Sequence, residues 1–391
     1  MICIRTCTAE NKLNDQEGMM PVCFSLGIMA WNEEASIGQT LQSLFQQSVF
    51  KKLARRRERC ELFCLANGCT DRTVAMANHL FRQLKEAHPY GQVITVRVVD
   101  MPEPGRNNAW NRFVHEFSAP EARFLYLMDA DIAFHHRDTL YNLLATLERD
   151  PRASVSSGQQ HKSIEFKKKK SLRDRISLAT SHMTGTIEGR FSGQLYCMRA
   201  GIARNLYLPR DLGANDDGFF KAAVCTDFFN EEPDVRRVVT ALDAAHVYEA
   251  YLSAPEVLNN QKRQMIGQTS VHVLVEYLKT LRPEERANLA EVLRQHERSD
   301  PEWLQKLIDR HIAHVRFFWR LFPGILTFRF RRLSKLEGGR KLTHLPAAVV
   351  GLGVTLIACA RAFRFMKKGR SYYWPKAGRQ TISNSCVPNA K

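Results

Sequence analysis

The chain has 391 residues, of which 44% are hydrophobic and 25% charged, and it carries a formal net charge of +17. That composition holds enough apolar surface for one large domain with an appendage, or for two domains, and it excludes a chain disordered throughout. The charge is local: residues 301–391 hold 18 Lys and Arg against 3 Asp and Glu, while the first 300 residues are close to neutral, so an anionic partner concerns only the C-terminal quarter.

Residues 1–20 are polar and of mixed charge, with no apolar core of a leader peptide, and read as a loose lead-in. Val22 to Ala30 reads as a short buried strand running into Asn32-Glu33-Glu34. A helix over Ala35 to Phe45 follows, with Ile37, Leu41, Leu44 and Phe45 on one face. Arg55 to Arg59 is a charged connection. Cys60 to Ala66 is a second strand, closing on Asn67-Gly68-Cys69-Thr70-Asp71, and Thr73 to Leu84 is helical. Val93 to Val99 is a third strand, Asn107 to Phe117 a helix, and Arg123 to Met128 a fourth strand that ends in Asp129-Ala130-Asp131. Thr139 to Leu147 is again helical.

This alternation predicts an α/β fold with a mainly parallel sheet, flanked by helices through right-handed crossovers. In such sheets ligands sit beyond the carboxyl ends of the strands, where the polar clusters fall here. No Gly-x-Gly-x-x-Gly follows the first strand and no Walker A motif is present, which disfavours a dinucleotide fold and a P-loop. The ten cysteines include no Cys-x-x-Cys pair, and Cys60, Cys64 and Cys69 lack a second ligand pair, so reduced thiols are expected.

Asp129 and Asp131, at i and i+2 on a strand end, can present oxygens to a hard divalent cation, Mn²⁺ or Mg²⁺. With a diphosphate completing its coordination, such an ion would neutralise charge on the departing group. The alternative is a solvated acidic turn. Asp216-Asp217 opens the segment Gly218 to Val224. It reads either as acids favoured by a helix N-terminus or as a general base for an acceptor hydroxyl.

These motifs together resemble family 2 glycosyltransferases of the GT-A fold, from about Val22 to Ser270. Met29-Ala-Trp-Asn-Glu-Glu34 is similar to the family's Pro-x-Tyr-Asn-Glu-Glu. Asn67-Gly-Cys-Thr-Asp-Arg-Thr73 is similar to its Asp-Gly-Ser-x-Asp-x-Thr. Gly105-Arg-Asn-Asn-Ala-Trp-Asn111, Asp129-Ala-Asp131 and Asn215-Asp-Asp-Gly-Phe-Phe220 follow in family order, with Ser192-Gly193 before the last.

The resemblance implies a Rossmann-like GT-A catalytic domain and metal-dependent, inverting transfer from a nucleotide-sugar, UDP- ahead of GDP-linked. It implies that Ala30, Trp31, Glu34 and Asn67 line the base and ribose pocket and that Arg106 approaches the phosphates. Asp129 would contact ribose or metal, Asp131 would hold the metal, and Asp217 would be the base. Ser192, Gly193 and Asp216 would fall on the acceptor side. Gln261-Lys-Arg-Gln-Met-Ile-Gly267 stands where processive members have Gln-x-x-Arg-Trp. The Trp is missing here, and Arg263 could still reach the diphosphate or acceptor.

Lys167 to Lys170 with Arg173 and Arg175 form a basic patch, either a solvated face or an acceptor loop. Leu342 to Ala360 is uncharged over 19 residues, about 28 Å as a helix. The aromatic run Phe317 to Phe328 precedes it. Arg361, Arg364, Lys367, Lys368 and Arg370 come next, then Tyr372-Tyr373-Trp374. Basic clusters beside interfacial aromatics predict attachment to an anionic membrane surface on its cytoplasmic face, peripheral or by a single span. The alternative is a helix packed on the catalytic domain.

The expected organisation is a catalytic domain over 21–280, a helical membrane-associating region over 281–379 and a disordered tail over 380–391. A lipid-linked or saccharide acceptor suits that setting. Among the histidines, His246 lies in a strand-like run that could face the site, while His311 and His314 read as helix-face residues. A nucleotidyltransferase is disfavoured because Asn32-Glu33-Glu34 stands where it needs a Gly- and Arg-rich loop. A nucleic-acid-binding role is not expected, because the charge is confined to an apolar tail. A dead scaffold is at odds with the presence of both Asp131 and Asp217.

Overall fold

The computed structural model describes residues 20–171, 174, 177, 178, 191–213, 215–251, 253–321, 327, 331, 334 and 340–369. The lead-in, Arg173, Arg175, Arg370, Tyr372-Tyr373-Trp374, the tail over 380–391 and most of the aromatic run after Leu321 lie outside the described residues.

The chain opens as β1 (Val22–Ala30), α1 (Ile37–Phe45), α2 (Val49–Arg56), β2 (Arg59–Asn67), α3 (Thr73–Ala87), β3 (Ile94–Met101) and α4 (Arg106–Arg112). A π-turn over Phe113–Phe117 then leads to β4 (Phe124–Asp129), β5 (Ile132–Phe134), α5 (Thr139–Arg149) and β6 (Val155–Lys162). After them come β7 (Leu195–Arg199), α6 (Ala200–Arg204), α7 (Asp216–Cys225) and β8 (Val238–Tyr248). The strands form one sheet in the order β3-β2-β1-β4-β7-β6-β8-β5. β3, β2, β1 and β4 run parallel, as does β6 with β8, while β7 is antiparallel to both its neighbours and β5 to β8. The fold is the expected GT-A type α/β fold, and the antiparallel strands lie in its second half.

Side-chain alternation explains how the sheet is covered on both faces. On β1, Phe24, Leu26 and Ile28 point to one core with Ile37, Leu41, Phe50, Phe81 and Tyr126. On β4, Leu125 and Leu127 point the other way, to a core built from Trp110, Phe113, Tyr196, Phe219 and Phe220. By the same alternation Asp129 belongs to this second face, the one covered by α4 and α7. Gly27 fits that face closely: a Cβ there would meet the Phe113 ring at 2.9 Å. A side chain at 27 would lift the α4 and π-turn segment off the sheet.

Two stretches depart from the sequence expectation. Arg55 and Arg56 end the short helix α2 instead of forming a connection, because Val49, Phe50 and Leu53 bury one side of it. The helix expected to reach Phe117 stops at Arg112 and widens into the π-turn.

The second core continues into the C-terminal helices α8 (Ala254–Lys279), α9 (Pro283–Ala287), α10 (Leu289–Ser299) and α11 (Trp303–Ala313), through Ile266, Leu274, Leu293, Leu304 and Ile308. α8 starts on a capping box: Ser253 Oγ accepts from Glu256 N–H at 3.3 Å and Glu256 Oε2 accepts from Ser253 N–H at 3.2 Å. After α12 (Phe318–Leu321), helix α13 (Arg340–Met366) contains the uncharged run. It lies along α8, with Ala348, Ala358, Cys359 and Ala362 buried and the Lys262 ammonium 3.9 Å from the Phe365 ring centroid. Among the described residues no helix is long and apolar enough to cross a membrane. The single-span alternative is therefore corrected: glycines, Thr355 and Pro346 dilute the run, and one face of it packs on α8.

Candidate active site

The parallel register sets the ends of β1, β2 and β4 side by side, with Met29 opposite both Leu65 and Asp129. The two loops that follow β1 and β2 are laced together. Asn32, at a left-handed φ of 55°, accepts from Thr70 N–H through Oδ1 at 2.7 Å. Thr73 Oγ1 accepts from Glu33 N–H at 2.7 Å, and Asp71 Oδ2 from Glu34 N–H at 3.1 Å.

Of the expected base-pocket residues, Trp31 is part-exposed beside this lacing, and Ala30 is buried with its carbonyl accepting from Asn67 Nδ2 at 2.8 Å. The Glu34 carboxylate accepts from Arg72 N–H at 3.2 Å and Arg72 Nε at 3.3 Å. Asn67 is buried, and its Oδ1 accepts from Gly105 N–H at 3.2 Å. Both ends of the Asn67 amide thus fix backbone, joining β1 to the start of α4. That placement does not match the base contact expected of Asn67.

Arg106, in the first turn of α4, is the hub of the site. Its guanidinium pairs with Asp129 Oδ1, lies 3.2 Å through Nε from Asp216 Oδ2, and donates to the Gly193 carbonyl at 3.0 Å. Burial opposes its charge, but Asp129 and Asp216 outweigh that and hold its pKa well above the ordinary value. In this structure Arg106 cross-links β4, α7 and the segment before β7. Under it, Trp110 Nε1 donates to Tyr196 Oη at 2.8 Å. Asn107 donates to the Pro209 carbonyl at 3.0 Å, and Asn111 exchanges bonds of 2.8 and 2.9 Å with Leu208. These contacts clamp α4 to the strap that leads into Asp216.

Asp216 and Asp217 occupy the first turn of α7 and part in role. Asp216 is used by Arg106. Asp217 accepts from Gly218 N–H at 2.8 Å, and its carboxyl is pushed up to about 6, by burial first and then by the charge of Asp216. A helix N-terminus favours an ionised acid by roughly 0.3–1 kcal/mol. Burial outweighs that here, so a capping role alone does not describe this residue. Gly193 lies against it: a Cβ at 193 would stand 3.3 Å from Asp217 Cβ. Ser192 is buried, and its Oγ accepts from Gln160 Nε2 at 2.5 Å.

Asp131 follows Asp129 into the same crevice, and its carboxyl is pushed up to about 7, by burial and then by Asp129. Two part-exposed, mutually repelling carboxylates at one strand end are a hard-oxygen donor set that a divalent cation would relieve. Among the described residues no group of three or more His, Cys, Asp or Glu is arranged to hold a metal. Cys64 is a buried thiol of β2, pushed by burial up to about 12.

Arg263, from α8, places positive charge on Asp129, Asp131 and Asp217 together. Sequence reading missed Tyr251, just after β8, which senses Arg263, Asp131 and Asp129. It also missed Gln194, whose carbonyl accepts from Asp129 N–H at 2.9 Å. Tyr251 carries no motif, and only the run of β8 toward α8 hints at it. His246 is fully buried, with Nε2 3.4 Å from Gln194 Oε1, so it supports the site from below. The Lys167 to Lys170 run meets Asp174 through Lys167 Nζ at 3.4 Å.

Residues 25–203 match the family model described as glycosyl transferase family 2. The match spans β1 to α6 and includes Arg106, Asp129, Asp131, Ser192 and Gly193, but stops before Asp217 and Arg263. No curated protein sequence matches the chain. Among solved structures, TarS 1–349 of S. aureus is 14% identical, covers 88% of this chain and 90% of its own, and has a TM-score of 0.43. Glucosyl-3-phosphoglycerate synthase from Mycobacterium tuberculosis, in complex with Mn²⁺, UDP and glucosyl-3-phosphoglycerate, is 15% identical. It covers 67% of this chain and 81% of its own, with a TM-score of 0.41.

Proposed function

We propose, for a chain whose residues 25–203 carry the glycosyl transferase family 2 domain, that it moves a sugar from a nucleoside-diphosphate donor to an acceptor hydroxyl with inversion. The observation that carries this reading is Asp217. It is a part-exposed carboxyl in the first turn of α7, pushed up to about 6, against Gly193 and acted on by the same Arg106 and Arg263 charges as Asp129 and Asp131. A general base works best when its pKa lies close to the working pH.

In this reading the Asp217 carboxylate takes the acceptor hydroxyl proton as the oxygen attacks the anomeric carbon. The bond from that carbon to the diphosphate oxygen breaks on the opposite side, and the diphosphate leaves with the electron pair. Arg263 offsets the charge that develops on the leaving group. Arg106 keeps Asp129, Asp216 and the Gly193 carbonyl in register. Asp129 and Asp131 would hold Mn²⁺ or Mg²⁺, whose chemistry is Lewis-acid stabilisation of the diphosphate. The loops over 31–34 and 67–73 would flank the base and ribose.

The proposed setting is an anionic membrane surface, on its cytoplasmic face, with a lipid-linked or saccharide acceptor. Phe317, Trp319, Leu345, Val349 and Ile357 are exposed apolar side chains of the C-terminal region. Basic Arg316, Arg320 and Arg361 accompany them, which suits peripheral attachment.

The test is calorimetric binding of UDP and GDP, with and without Mn²⁺, to wild type and Asp131→Ala. Metal-dependent binding of UDP that the substitution removes is the expected result. A preference for GDP would replace only the base assignment. No binding of either nucleotide in either metal state would overturn the donor site and the function with it.

A further inference from the structure

α4 has two functional ends. Arg106 begins it, and about 9 Å along its axis the C-terminal end and the π-turn open on a different recess. This cleft, of about 180 Å³, lies where α4, the strap before α7 and helix α10 meet. Arg112 and Asn108 come from α4, Tyr207 from the strap, and Arg294 and Arg298 from α10. No residue of the crevice described above lines it.

The lining is strongly cationic, and its acids do not neutralise it. Arg112 Nε pairs with Glu116 Oε2 at 2.9 Å. Arg294 pairs at 2.7 Å with Glu291, which is not part of the lining. Glu297, next to Arg298 in sequence, is turned aside: it accepts from Arg210 N–H at 3.2 Å and Trp303 Nε1 at 3.3 Å. Arg298 is exposed and forms no ion pair among the described residues. Burial and then the Glu297 charge raise the Tyr207 hydroxyl, and Arg294 and Arg298 act on it in the opposite sense, so both guanidinium groups stand over the same wall. His115 Nε2 is 2.9 Å from the Leu206 carbonyl, and burial, the first cause, with Arg294 and Arg204 holds its pKa below the ordinary value. The lining therefore sets three guanidinium groups against one carboxylate.

The backbone gives this recess its form. The π-turn over Phe113–Phe117 inserts an extra residue into the helical path and brings His115 and Glu116 into the lining. Such widened turns occur frequently at functional sites. Asn111 and Leu208 fix the opposite wall through their paired hydrogen bonds. The donors that remain (guanidinium N–H, the Asn108 amide and the Tyr207 hydroxyl) suit a phosphoryl oxyanion, whose oxygens a guanidinium fork can hold two at a time.

We propose that this cleft between α4, Tyr207 and α10 is a binding site for a phosphoryl group, separate from the crevice of Asp129 and Asp217, with Arg294 and Arg298 as its principal ligands. The phosphoryl group belongs either to free phosphate or to a phosphate monoester. Neither source requires the sugar-transfer reading.

The experiment is isothermal titration of the full chain with inorganic phosphate and, separately, with a hexose monophosphate, against chloride at matched ionic strength. Saturable binding of one stoichiometric equivalent is expected, weakened about tenfold in Arg298→Ala. Arg294→Gln, checked for folding by circular dichroism, is expected to weaken it as well. Equal affinity for the two probes identifies the phosphoryl group alone as the ligand; tighter binding of the monoester identifies the ester. UDP binding, measured on the same Arg298→Ala protein, is expected to be unchanged. Heats indistinguishable from chloride, or phosphate binding unaltered in both variants, would overturn the site.

Discussion

Arg106 Nε stands 3.2 Å from Asp216 Oδ2, which ties the first turn of α4 to the first turn of α7 across 110 residues of sequence. The same guanidinium holds Asp129. Removing it would leave two carboxylates in a low-dielectric setting, and breaking a buried pair costs about 3–5 kcal/mol. Arg106→Ala is expected to lose stability on that scale in urea denaturation and to lose turnover. Arg106→Lys would keep the charge but not three simultaneous contacts, and should fall between. An Ala variant with wild-type stability would remove the cross-linking role.

Asp217→Asn is expected to fold normally and to lose turnover by about 10²–10⁴-fold. A raised pKa means that Asp217 carries its proton below about 6 and is a base above it. In wild type kcat/KM should therefore rise with pH through about 6 and level off. Asp216→Asn removes a neighbouring charge that raises Asp217, so its pH limb should move to lower pH. A limb that stays in place in Asp217→Asn would show that another group titrates.

Gly193→Ala tests position without touching charge. The new methyl would sit 3.3 Å from Asp217 Cβ, tight enough to push the carboxyl by a few tenths of an ångström. Turnover should drop roughly tenfold, since small displacements of reacting groups are costly. The melting temperature and nucleotide affinity should stay near wild type. Unchanged kcat would mean that the geometry around Asp217 is tolerant.

Chelation of divalent ions is expected to abolish both turnover and tight nucleotide binding, and Mn²⁺ to restore both in wild type. Asp131→Asn should restore neither, as judged by activity and calorimetry. Full recovery in that variant would place the ion elsewhere.

Co-sedimentation with vesicles containing an anionic phospholipid should pellet the chain, and neutral vesicles should not. Raising salt from about 0.1 M to about 1 M shortens the screening length from about 10 Å to about 3 Å and should release most of it. Trp319→Ser, at an exposed aromatic, should weaken what remains. Equal binding to neutral vesicles would count against the electrostatic part of the surface.

β1, β2 and β4 were legible from sequence because they are apolar and largely buried on both faces, so each reads as a continuous run ending in polar residues, whereas the edge strand β3 exposes Thr95, Arg97 and Asp100. β6 was not: Val155–Lys162 carries Ser, Gln, His and Lys, and it becomes a strand through its pairing with β7 and β8. The sequence left open whether Leu342 to Ala360 spans a membrane or packs on the catalytic domain. The run lacks charge but is diluted by glycines, Thr355 and Pro346, and the structure shows one face of it packed on α8.

The residue types of the site were set by sequence: acids at strand ends and helix starts, with Arg106 and Arg263 among them. Sequence order also located Asp129, Asp131 and Asp217, because strand ends and helix starts are local features. The tertiary structure decided how those groups divide the work. Asn67 and Arg106 were legible as polar residues at the right loop ends, but only packing shows that their hydrogen bonds are used within the protein. Asp216 and Asp217 are adjacent and chemically identical. One is buried and claimed by a guanidinium from a distant helix, and the other stands less buried beside Gly193 with a raised pKa. That distinction rests on desolvation and through-space charge, which depend on distances between segments far apart in sequence.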